Sequence, residues 1–485
     1  MKPRKVVGRY RELALFQKMK DSSDATFLAV YGRRRVGKTF LIRNALHDLI
    51  RFELIGLHNG SIAEQLGNFS ESLRQASQGK LGRNGSSISW SAAFRELAEF
   101  CETLPKKEKF VLFIDELPWL ASPRSGFLQA LDYFWNSYAS RDSRLMLIVC
   151  GSAASWMIQR LLRDKGGLHN RVTHRMRLQP FDLAETRDFL LSRRIALTDF
   201  QIAELYMAFG GVPLYLEQVQ RGESAAQTID RVCFSRDGFL RNEFNQLYPA
   251  LFDSAERHIE IVKCLAARPS GLTRQEIADK TGQSPSGRLT TILEELTESG
   301  FVYRAAPWGK LVKHSIYRLA DEYSLFYLRW IESWRRTSKG WQSVRNTPQF
   351  RTWSGMAFEM LCLKHADQIQ AALGIAGVAT ELSAWRYSSA GKDDDGAQID
   401  LLIDRADNCI NLCEMKFSET EFVLDKRYAK IVRDRKGIFR RVTGTRKNNF
   451  ITFVTTFGLK KNSHALDVVD SDVTLESLFV PTNSL

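Results

Sequence analysis

Three short apolar runs dominate the first part of the chain, and each has the length of a buried strand. They are FLAVYG at 27–32, FVLFIDE at 110–116 and LMLIVCGS at 145–152. Amphipathic stretches separate them, and continuous apolar strands that alternate with helices are typical of a parallel sheet covered on both faces. The pattern predicts an α/β multidomain protein whose first domain, residues 1–185, has a doubly wound parallel sheet.

From about Thr186 the pattern becomes helical. The run Gly210-Gly211-Val212-Pro213 predicts a turn between two helices, because Gly and Pro interrupt regular structure. We therefore expect a helical segment at 186–250.

The next segment predicts a winged helix-turn-helix at 251–335. GLTRQEIADKTG supplies a short helix with Thr273 as N-cap and a turn at Gly282, and two strands, FVYRAA and SIYRLA, follow a longer helix at Ser284–Ser299. Four residues in the first half of that longer helix suit DNA edges or phosphates, namely Ser286, Arg288, Thr290 and Thr291. Its second half is acidic, with Glu294, Glu295 and Glu298. DNA binding and packing against the rest of the chain are equally open.

A complete phosphate-binding loop directly follows the first predicted strand. Glycines at both ends let backbone N–H groups converge on an anion, and the helix that follows adds its positive N-terminal end. Lys38 would reach the β- and γ-phosphates, and Thr39 would ligate magnesium. The predicted nucleotide-binding residues here are Gly32, Arg33, Arg34, Arg35, Val36, Gly37, Lys38 and Thr39.

The strand at 110–114 delivers two carboxylates to its carboxyl end, where ligand sites of α/β sheets form. Asp115 would hold the magnesium shell, and Glu116 would orient or deprotonate the attacking water. The sequence thus predicts ATP and Mg²⁺ as ligands of this domain.

A second acidic site is predicted from AQIDLLIDRADNCINLCEMKF at 397–417. Alternation on either side of Ala406-Asp407-Asn408 predicts a hairpin in which facing residue numbers sum to 814, so that Asp400 faces Glu414. Two carboxylates in facing positions repel, and a divalent cation between them would remove the repulsion. Lys416, on the same strand face as Glu414, would position a water or stabilise the transition state.

The N-terminal motifs resemble those of the archaeal-type P-loop ATPases, a group allied to the STAND NTPases and AAA-like. The matching runs are VGRYREL at 7–13, YGRRRVGKT at 31–39, FIDELPWL at 113–120, CGSAASWM at 150–157 and GGVP at 210–213. The resemblance implies that Ser152 is a polar sensor, that the helical segment is a lid whose Pro213 contacts nucleotide, and that Arg171 contacts the γ-phosphate. An ordinary surface arginine is an equal alternative for Arg171.

The hairpin resembles the core of the PD-(D/E)XK phosphodiesterases, although Ile399 stands where those enzymes carry proline. The resemblance implies a restriction-endonuclease-like domain at 350–485, with Glu359 as a third acidic metal ligand beside Asp400 and Glu414. A solvated strand pair, or a degenerate nuclease fold kept for binding, is the alternative. Tyr428 and Lys430 follow in a basic context and would contact phosphate or simply belong to a surface helix.

Charge favours a polyanionic partner, since 69 Lys and Arg residues outnumber 55 Asp and Glu residues for a net charge of +14. Nucleic acid, with DNA first, is the expected partner, and a basic surface that only aids solubility is the alternative. The seven scattered cysteines form no CxxC pair, and no apolar run reaches the length of a membrane span. We expect a cytoplasmic protein without a membrane partner, and homo-oligomer formation is open.

Two functions are consistent with these features. The first is an ATP-hydrolysing protein that controls a Mg²⁺-dependent nuclease domain acting on nucleic acid, which by family analogy suits genome defence. The alternative is a nucleotide-switched, DNA-binding regulatory ATPase with an inactive nuclease fold. A scaffold for a protein partner is a weaker third.

Overall fold

The computed structural model describes residues 3–82, 89–153, 156–163, 168, 170–252, 254–309, 314–334, 340–345, 347–387 and 396–481. The chain divides into two compact units, Met1–Gln179 and Pro180–Leu485. Each unit has a five-stranded sheet of its own.

A parallel sheet forms the centre of the first unit. Its strands are β1 (Thr26–Tyr31), β2 (Ile50–Ile55), β3 (Phe110–Asp115), β4 (Leu145–Gly151) and β5 (His174–Arg177). They pair in the order β2-β3-β4-β1-β5, and every pairing is parallel. β3 and β4 are buried along their whole length, as their uninterrupted apolar sequences require. The predicted parallel sheet is confirmed.

Helices cover both faces of this sheet. They are α1 (Tyr10–Asp21), α2 (Lys38–Ala45), α3 (Ile62–Ala76), α4 (Trp90–Glu102), α5 (Leu117–Leu120) and α6 (Phe127–Ser137), with a 3₁₀ turn at Ala139–Arg141 and a π-helical stretch at Met157–Arg163. Alternate strand residues serve two separate cores: Leu112 and Leu147 pack on one face, and Phe113 and Ile148 on the other. Because β4 is the central strand and pairs with β3 on one side and β1 on the other, the carboxyl ends of β3, β4 and β1 lie side by side.

The second unit begins with helices. They are α7 (Leu183–Ser192), α8 (Asp199–Phe209), α9 (Pro213–Leu216), α10 (Ala225–Ile229) and α11 (Glu243–Leu247), with a π-helical stretch at Asp230–Phe234. The predicted turn lies between α8 and α9. At its centre a Cβ on Gly211 would lie 1.8 Å from the Phe181 carbonyl oxygen, so this close approach requires glycine.

The winged helix has the predicted order of elements. It consists of α12 (Ala255–Ala266), β6 (Leu272–Thr273), α13 (Arg274–Thr281), α14 (Gly287–Glu298), β7 (Val302–Ala305) and β8 (Ile316–Leu319). Thr273 caps α13 in a reciprocal pair with Glu276, and Gly282 ends that helix with φ of 65°. The prediction that the second helix starts at Ser284 is wrong, because Pro285 disfavours helical backbone in the residue before it and the helix starts only at Gly287.

The rest of the second unit is built around a mixed sheet. Its strands are β9 (Thr380–Tyr387), β10 (Ala397–Arg405), β11 (Cys409–Lys416), β12 (Asn448–Thr455) and β13 (Ser471–Thr474), in the order β13-β12-β11-β10-β9. The helical elements are α15 (Glu322–Phe326), α16 (Pro348–Lys364), α17 (Ala366–Ala372), α18 (Lys426–Thr443) and α19 (Ser463–Val468), with a π-helical stretch at Tyr327–Ile331 and 3₁₀ stretches at Trp341–Val344 and Leu475–Phe479. The predicted hairpin is confirmed in its register, since Leu401 faces Cys413 and Leu402 faces Leu412.

One continuous core runs through the second unit. It joins Leu205 of the helical segment, Leu293 of the winged helix, Leu361 of α16 and Ile403 of the mixed sheet. The segments that the sequence separates at 186–250, 251–335 and 350–485 therefore pack as one body. Within the described residues no helix combines the length and apolarity needed to cross a bilayer.

Candidate nucleotide site and acidic cluster

The phosphate loop connects the carboxyl end of β1 to the start of α2. Gly32 has φ of 148°, and a Cβ there would lie 2.3 Å from the Leu178 carbonyl oxygen. Gly37 has φ of 87° and immediately precedes the helix. Both glycines hold backbone conformations that side chains disfavour, and the loop so formed directs the free N–H groups of α2 towards an anion.

Lys38 is the first residue of α2 and its side chain lies inside the loop. The residue is 7% exposed, and Nζ donates hydrogen bonds to the carbonyl oxygens of Gly32 at 2.8 Å and Arg33 at 2.9 Å. Burial lowers the pKa of Lys38, while the nearby carboxylates of Glu116 and Asp115 oppose that shift. The ammonium is thus held at the place where the loop would hold phosphate.

Four side chains from three neighbouring elements meet beside the loop. Thr39 Oγ1 donates to Asp115 Oδ2 at 2.7 Å. Ser152, just after β4, donates to Glu116 Oε2 from its backbone N at 3.2 Å and from Oγ at 2.9 Å. Because β4 lies between β1 and β3, the predicted sensor stands between the loop and the two carboxylates. Glu116 has φ of 49°, an unusual conformation for a residue that is not glycine.

Arg9 is part of this site although the sequence assigned it no role. It is 4% exposed, and its guanidinium donates to the carbonyl oxygens of Gln179 at 2.7 Å and Val36 at 2.9 Å. Arg9 therefore ties the tip of the phosphate loop to the segment after β5. It belongs to the run VGRYREL, but nothing in its spacing from the loop indicates which carbonyl it reaches.

The other predicted nucleotide residues lie in different places. Arg34 lies in the loop, with its guanidinium carbon 5.9 Å from the centre of the Trp119 ring. Arg171 is exposed and precedes β5, whose first residue, His174, pairs with Leu28 early in β1. The structure thus puts Arg171 at the amino edge of the sheet, whereas the phosphate loop is at the carboxyl edge. Pro213 starts α9 in the second unit.

In the second unit, Glu414 is surrounded by donors. Lys416 Nζ donates to Oε1 at 2.6 Å, Arg435 Nη1 donates to Oε2 at 2.7 Å, and the Tyr428 hydroxyl donates to Oε1. Burial lowers the pKa of Lys416, but the charge of Glu414 outweighs it and the net pKa is raised. Burial, with Glu414 nearby, raises the pKa of Tyr428 to about 12. Lys416 and Tyr428 thus remain protonated donors at neutral pH.

Asp400 is held by a residue of the winged helix. Arg318 Nη2, on β8, donates to Asp400 Oδ1 at 2.6 Å, and Gln398 Nε2 donates to the same oxygen at 2.8 Å. The Arg318 side chain is 3% exposed, so this ion pair is largely shielded from water. Arg318 is a second residue of the site that the sequence did not indicate, because it lies 82 positions from its partner.

Glu359 on α16 completes the cluster. Burial raises its pKa to about 8, and the negative charge of Asp400 adds to the shift, while Arg318 and Lys416 oppose it. The fold therefore brings the four predicted residues, Glu359, Asp400, Glu414 and Lys416, into one electrostatic neighbourhood.

The ribbon of the winged helix is packed against the rest of the second unit, whereas α14 has exposed polar residues. The ribbon packs on the mixed sheet: Trp308 N donates to the Ala384 oxygen at 2.9 Å, and Trp308 Nε1 donates to Asp404 Oδ2 at 2.9 Å. On α14, in contrast, Arg288 and Thr291 are exposed, while Thr290 accepts a hydrogen bond from Arg274. Internal docking and an open recognition helix therefore coexist.

Comparison with known families covers the first two thirds of the chain. Residues 6–219 match a family described as an ATPase domain predominantly from Archaea. The chain carries an archaeal-type ATPase domain. Residues 254–306 match the IclR helix-turn-helix domain. The two matches end at residue 306 and therefore include neither Arg318 nor the hairpin.

Two individual proteins each match about two thirds of the chain. An uncharacterized protein of Methanocaldococcus jannaschii, MJECL04, is 28% identical over 329 residues, which are 67% of this chain and 68% of that protein. The Walker-type ATPase paby2304 of Pyrococcus abyssi is 19% identical, covers 67% of this chain and 96% of its own, and superposes with a TM-score of 0.50. Because its identity is low, this structure supports the fold of the ATPase domain and no more.

The residues of the ATPase domain fit ATP with Mg²⁺. Magnesium in such sites takes one or two protein oxygens and completes its shell with phosphate and water. Thr39 and Asp115 present an adjacent hydroxyl and carboxylate, and Lys38 faces them from inside the loop. The two predicted magnesium ligands of this domain and the loop lysine thus lie at one edge of one sheet, whereas Arg171 and Pro213 do not.

The acidic cluster, in the conformation observed, does not fit a metal ion. Among the described residues, no group of three or more His, Cys, Asp and Glu side chains is arranged to hold one. Arg318 forms an ion pair with Asp400, and both Lys416 and Arg435 form ion pairs with Glu414. Positive side chains thus balance the carboxylates that were predicted to share a cation.

Proposed function

We propose that this protein is an ATP-hydrolysing, DNA-binding regulatory protein in which nucleotide occupancy of the ATPase domain alters contact with DNA. The observation that carries the proposal is the hydrogen-bonded chain at the carboxyl edge of the parallel sheet, in which Thr39, Asp115, Glu116 and Ser152 are linked in succession beside the loop that holds Lys38.

Each residue has a role in phosphoryl transfer that its position supports. Lys38 would exchange the loop carbonyls for phosphate oxygens, and Thr39 with Asp115 would hold the magnesium that neutralises developing charge. Glu116 would orient the attacking water, and Ser152 fixes that carboxylate through two hydrogen bonds. Arg9 would keep the tip of the loop in place through Val36.

DNA binding is supported by three features. The helix-turn-helix match covers α13 and α14, the chain carries a net charge of +14, and Arg288 is exposed on the recognition helix. Phosphate contacts by cations supply most of the sequence-independent affinity for DNA. We infer that α14 meets the DNA, because the ribbon beside it is committed to the mixed sheet.

The test uses the full chain with a fluorescent ATP analogue, a phosphate-release assay and a labelled duplex. Lys38→Ala is expected to lose nucleotide binding. Glu116→Gln should bind nucleotide and hydrolyse it about 100-fold more slowly, as general-base loss predicts. Lys107→Ala, at an exposed position of the same unit, is the control. Absence of salt-sensitive DNA binding in every nucleotide state would contradict the proposal and favour a protein scaffold.

A metal-dependent nuclease is a second candidate, favoured by the convergence of Glu359, Asp400, Glu414 and Lys416. Cleavage would require Asp400 to be released from Arg318. The test is cleavage of plasmid, linear and single-stranded DNA with Mg²⁺ or Mn²⁺, with and without ATP, by the wild type, Lys38→Ala and Lys416→Ala. Cleavage that survives Lys416→Ala would exclude this site as its source, and no cleavage under any condition would favour a fold kept for regulation.

A further inference from the structure

Helix α18 carries an exceptional charge. Its 18 residues, Lys426–Thr443, contain eight Lys or Arg residues and one acidic residue, Asp434. An ordinary surface helix mixes both signs, since like charges one turn apart weaken it. Lys426 and Lys430 form such an i,i+4 pair, and Arg433 follows at i,i+3. The helix thus concentrates positive charge at a cost to its own stability.

Part of this charge forms a row along one side of the helix. At 100° per residue, Lys426, Lys430, Arg433 and Arg440 fall within about 80° of one another. All four are exposed, and together they are called the basic ridge below. Arg433 pairs with Asp467 in a bond open to solvent, and no described residue forms an ion pair with Lys426, Lys430 or Arg440. The ridge therefore presents cations to the surroundings.

The opposite face of α18 reaches the acidic cluster. Ala429, Val432 and Phe439 are buried beneath the helix, and Tyr428 and Arg435 bond to Glu414. The helix is therefore fixed against the mixed sheet, and a ligand along the ridge would lie on the other side of this helix from Glu414.

The middle of the basic ridge carries a residue without a side chain. Gly437 lies within the same 80° arc, and apart from the neighbouring backbone of the helix itself no atom lies within 4 Å of the position of a Cβ there. From Lys426 to Arg440 the helix rises about 21 Å, which is about the length of six base pairs of duplex. Four cations in a row with a gap between them suit the regularly spaced phosphates of a nucleic acid backbone.

We propose that the basic ridge binds the phosphate backbone of DNA. This inference rests on the proposed DNA-binding function and adds a contact surface separate from the recognition helix. The ridge supplies charge without base-reading side chains, so it binds DNA without sequence preference. The bound backbone runs over the helix whose inner face holds Glu414.

The experiment measures the anisotropy of a labelled 30-base-pair duplex with the full chain between 50 and 300 mM salt. The double variant Lys430→Glu/Arg440→Glu is compared with Lys106→Glu/Lys107→Glu, which changes the net charge equally at exposed positions of the first unit. The ridge variant is expected to weaken binding by at least about tenfold and to lower the slope of log affinity against log salt by about 2, from two lost phosphate contacts. The control should change affinity less than about twofold.

Two further variants keep the outcomes distinct. Lys430→Gln/Arg440→Gln removes the charges without adding repulsion and should show the same salt slope as the Glu pair, which guards against misfolding of the latter. Arg288→Ala tests α14 alone. If the wild type binds and both ridge variants bind equally well, the ridge inference is overturned and the proposed function stands. If the wild type itself does not bind DNA, both fall.

Discussion

Ser152 contacts the side chain of Glu116. Its hydroxyl and backbone N both donate to one carboxylate oxygen, and Glu116 has a left-handed backbone conformation. The position of the carboxylate that we propose orients the attacking water thus depends on a residue from the neighbouring strand end.

Ser152→Ala is expected to lower kcat for ATP hydrolysis about tenfold, because a hydrogen bond to a charged group contributes about 1.5 kcal/mol. Nucleotide affinity should change little, since Lys38 and Thr39 are untouched. Steady-state hydrolysis and titration with a fluorescent nucleotide measure the two effects. Ser152→Thr keeps the hydroxyl and should retain more activity, and an equal loss in affinity would show that Ser152 holds the loop instead.

His365 gives the second unit a defined response to pH. Its Nδ1 donates to the Leu361 oxygen at 2.8 Å, and its Nε2 accepts from Leu183 N at 3.0 Å, which together require the neutral ring. Burial lowers its pKa from 6.5 to about 4. Between these values the unfolded chain binds a proton that the folded chain does not, so stability falls as pH falls.

The expected contribution of His365 is a loss of up to about 3 kcal/mol on going from pH 6.5 to pH 4. Denaturant unfolding across that range, followed through the signal of the second unit, measures it. His365→Gln removes the titrating group and should give a flatter profile over the same window. Parallel profiles for the two proteins would contradict the assignment.

The sequence predicts individual residues well where one short segment carries them. Lys38, Thr39, Asp115 and Glu116 follow from two strand ends, and the structure places them at the same edge of the sheet, while their roles stay predictions. Arg9 and Arg318 could not be found in this way, because each acts on a partner set by tertiary packing. Arg171 is the opposite case, a residue that was predicted at the nucleotide site but lies at the other edge of the sheet. A family pattern does not indicate which edge of the sheet a residue occupies.

At the scale of elements, one glycine lies inside α18 and another lies directly after it, and the two have opposite effects on stability. Gly437 lies inside the helix with open space around it, whereas Gly444 ends the helix with φ of 63°. The first is a cost in helix stability, and the second is a C-terminal cap that other residues disfavour.

Gly437→Ala should raise the stability of the second unit by about 0.5–1 kcal/mol, by removing conformational freedom from the unfolded chain. Gly444→Ala should lower it by about 1 kcal/mol, because alanine strains the left-handed conformation. Thermal unfolding of the two variants gives both signs. A loss of stability in Gly437→Ala would mean that the helix is packed more closely there than the structure indicates.

Elements whose boundaries depend on turn chemistry could be predicted, and the hairpin is the clearest case. Its three-residue turn fixed the register, so that facing numbers sum to 814 as observed for Leu401 and Cys413. α14 starts three residues after the predicted position, because Pro285 disfavours helical backbone in the residue before it. The hydrogen-bonding partners of the hairpin carboxylates come from distant segments, and the hairpin sequence does not indicate them.

At the scale of the whole molecule, the separation into segments misses how the second unit holds together. Arg318 and Trp308 of the winged helix both bond to β10, through Asp400 and Asp404. Neither contact has a local signal, since each joins positions more than 80 residues apart. Composition and motifs mark the segments, but only packing shows that they share one core.

Trp308→Ala tests this unity. The Trp308 ring lies 5.3 Å from that of Phe439, and its indole N–H bonds to Asp404, so the substitution should destabilise the second unit by about 3 kcal/mol. In calorimetry of the full chain we expect one transition for each unit. A magnesium nucleotide should raise only the unfolding temperature of the first unit, and Trp308→Ala should lower only that of the second unit, in a single step.

Trp119→Ala, in the first unit, is the matched control. It should lower the unfolding temperature of the first unit and leave that of the second unchanged. A new, separate transition in Trp308→Ala would show that the winged helix folds independently, and a fall in both transitions would show that the two units unfold together.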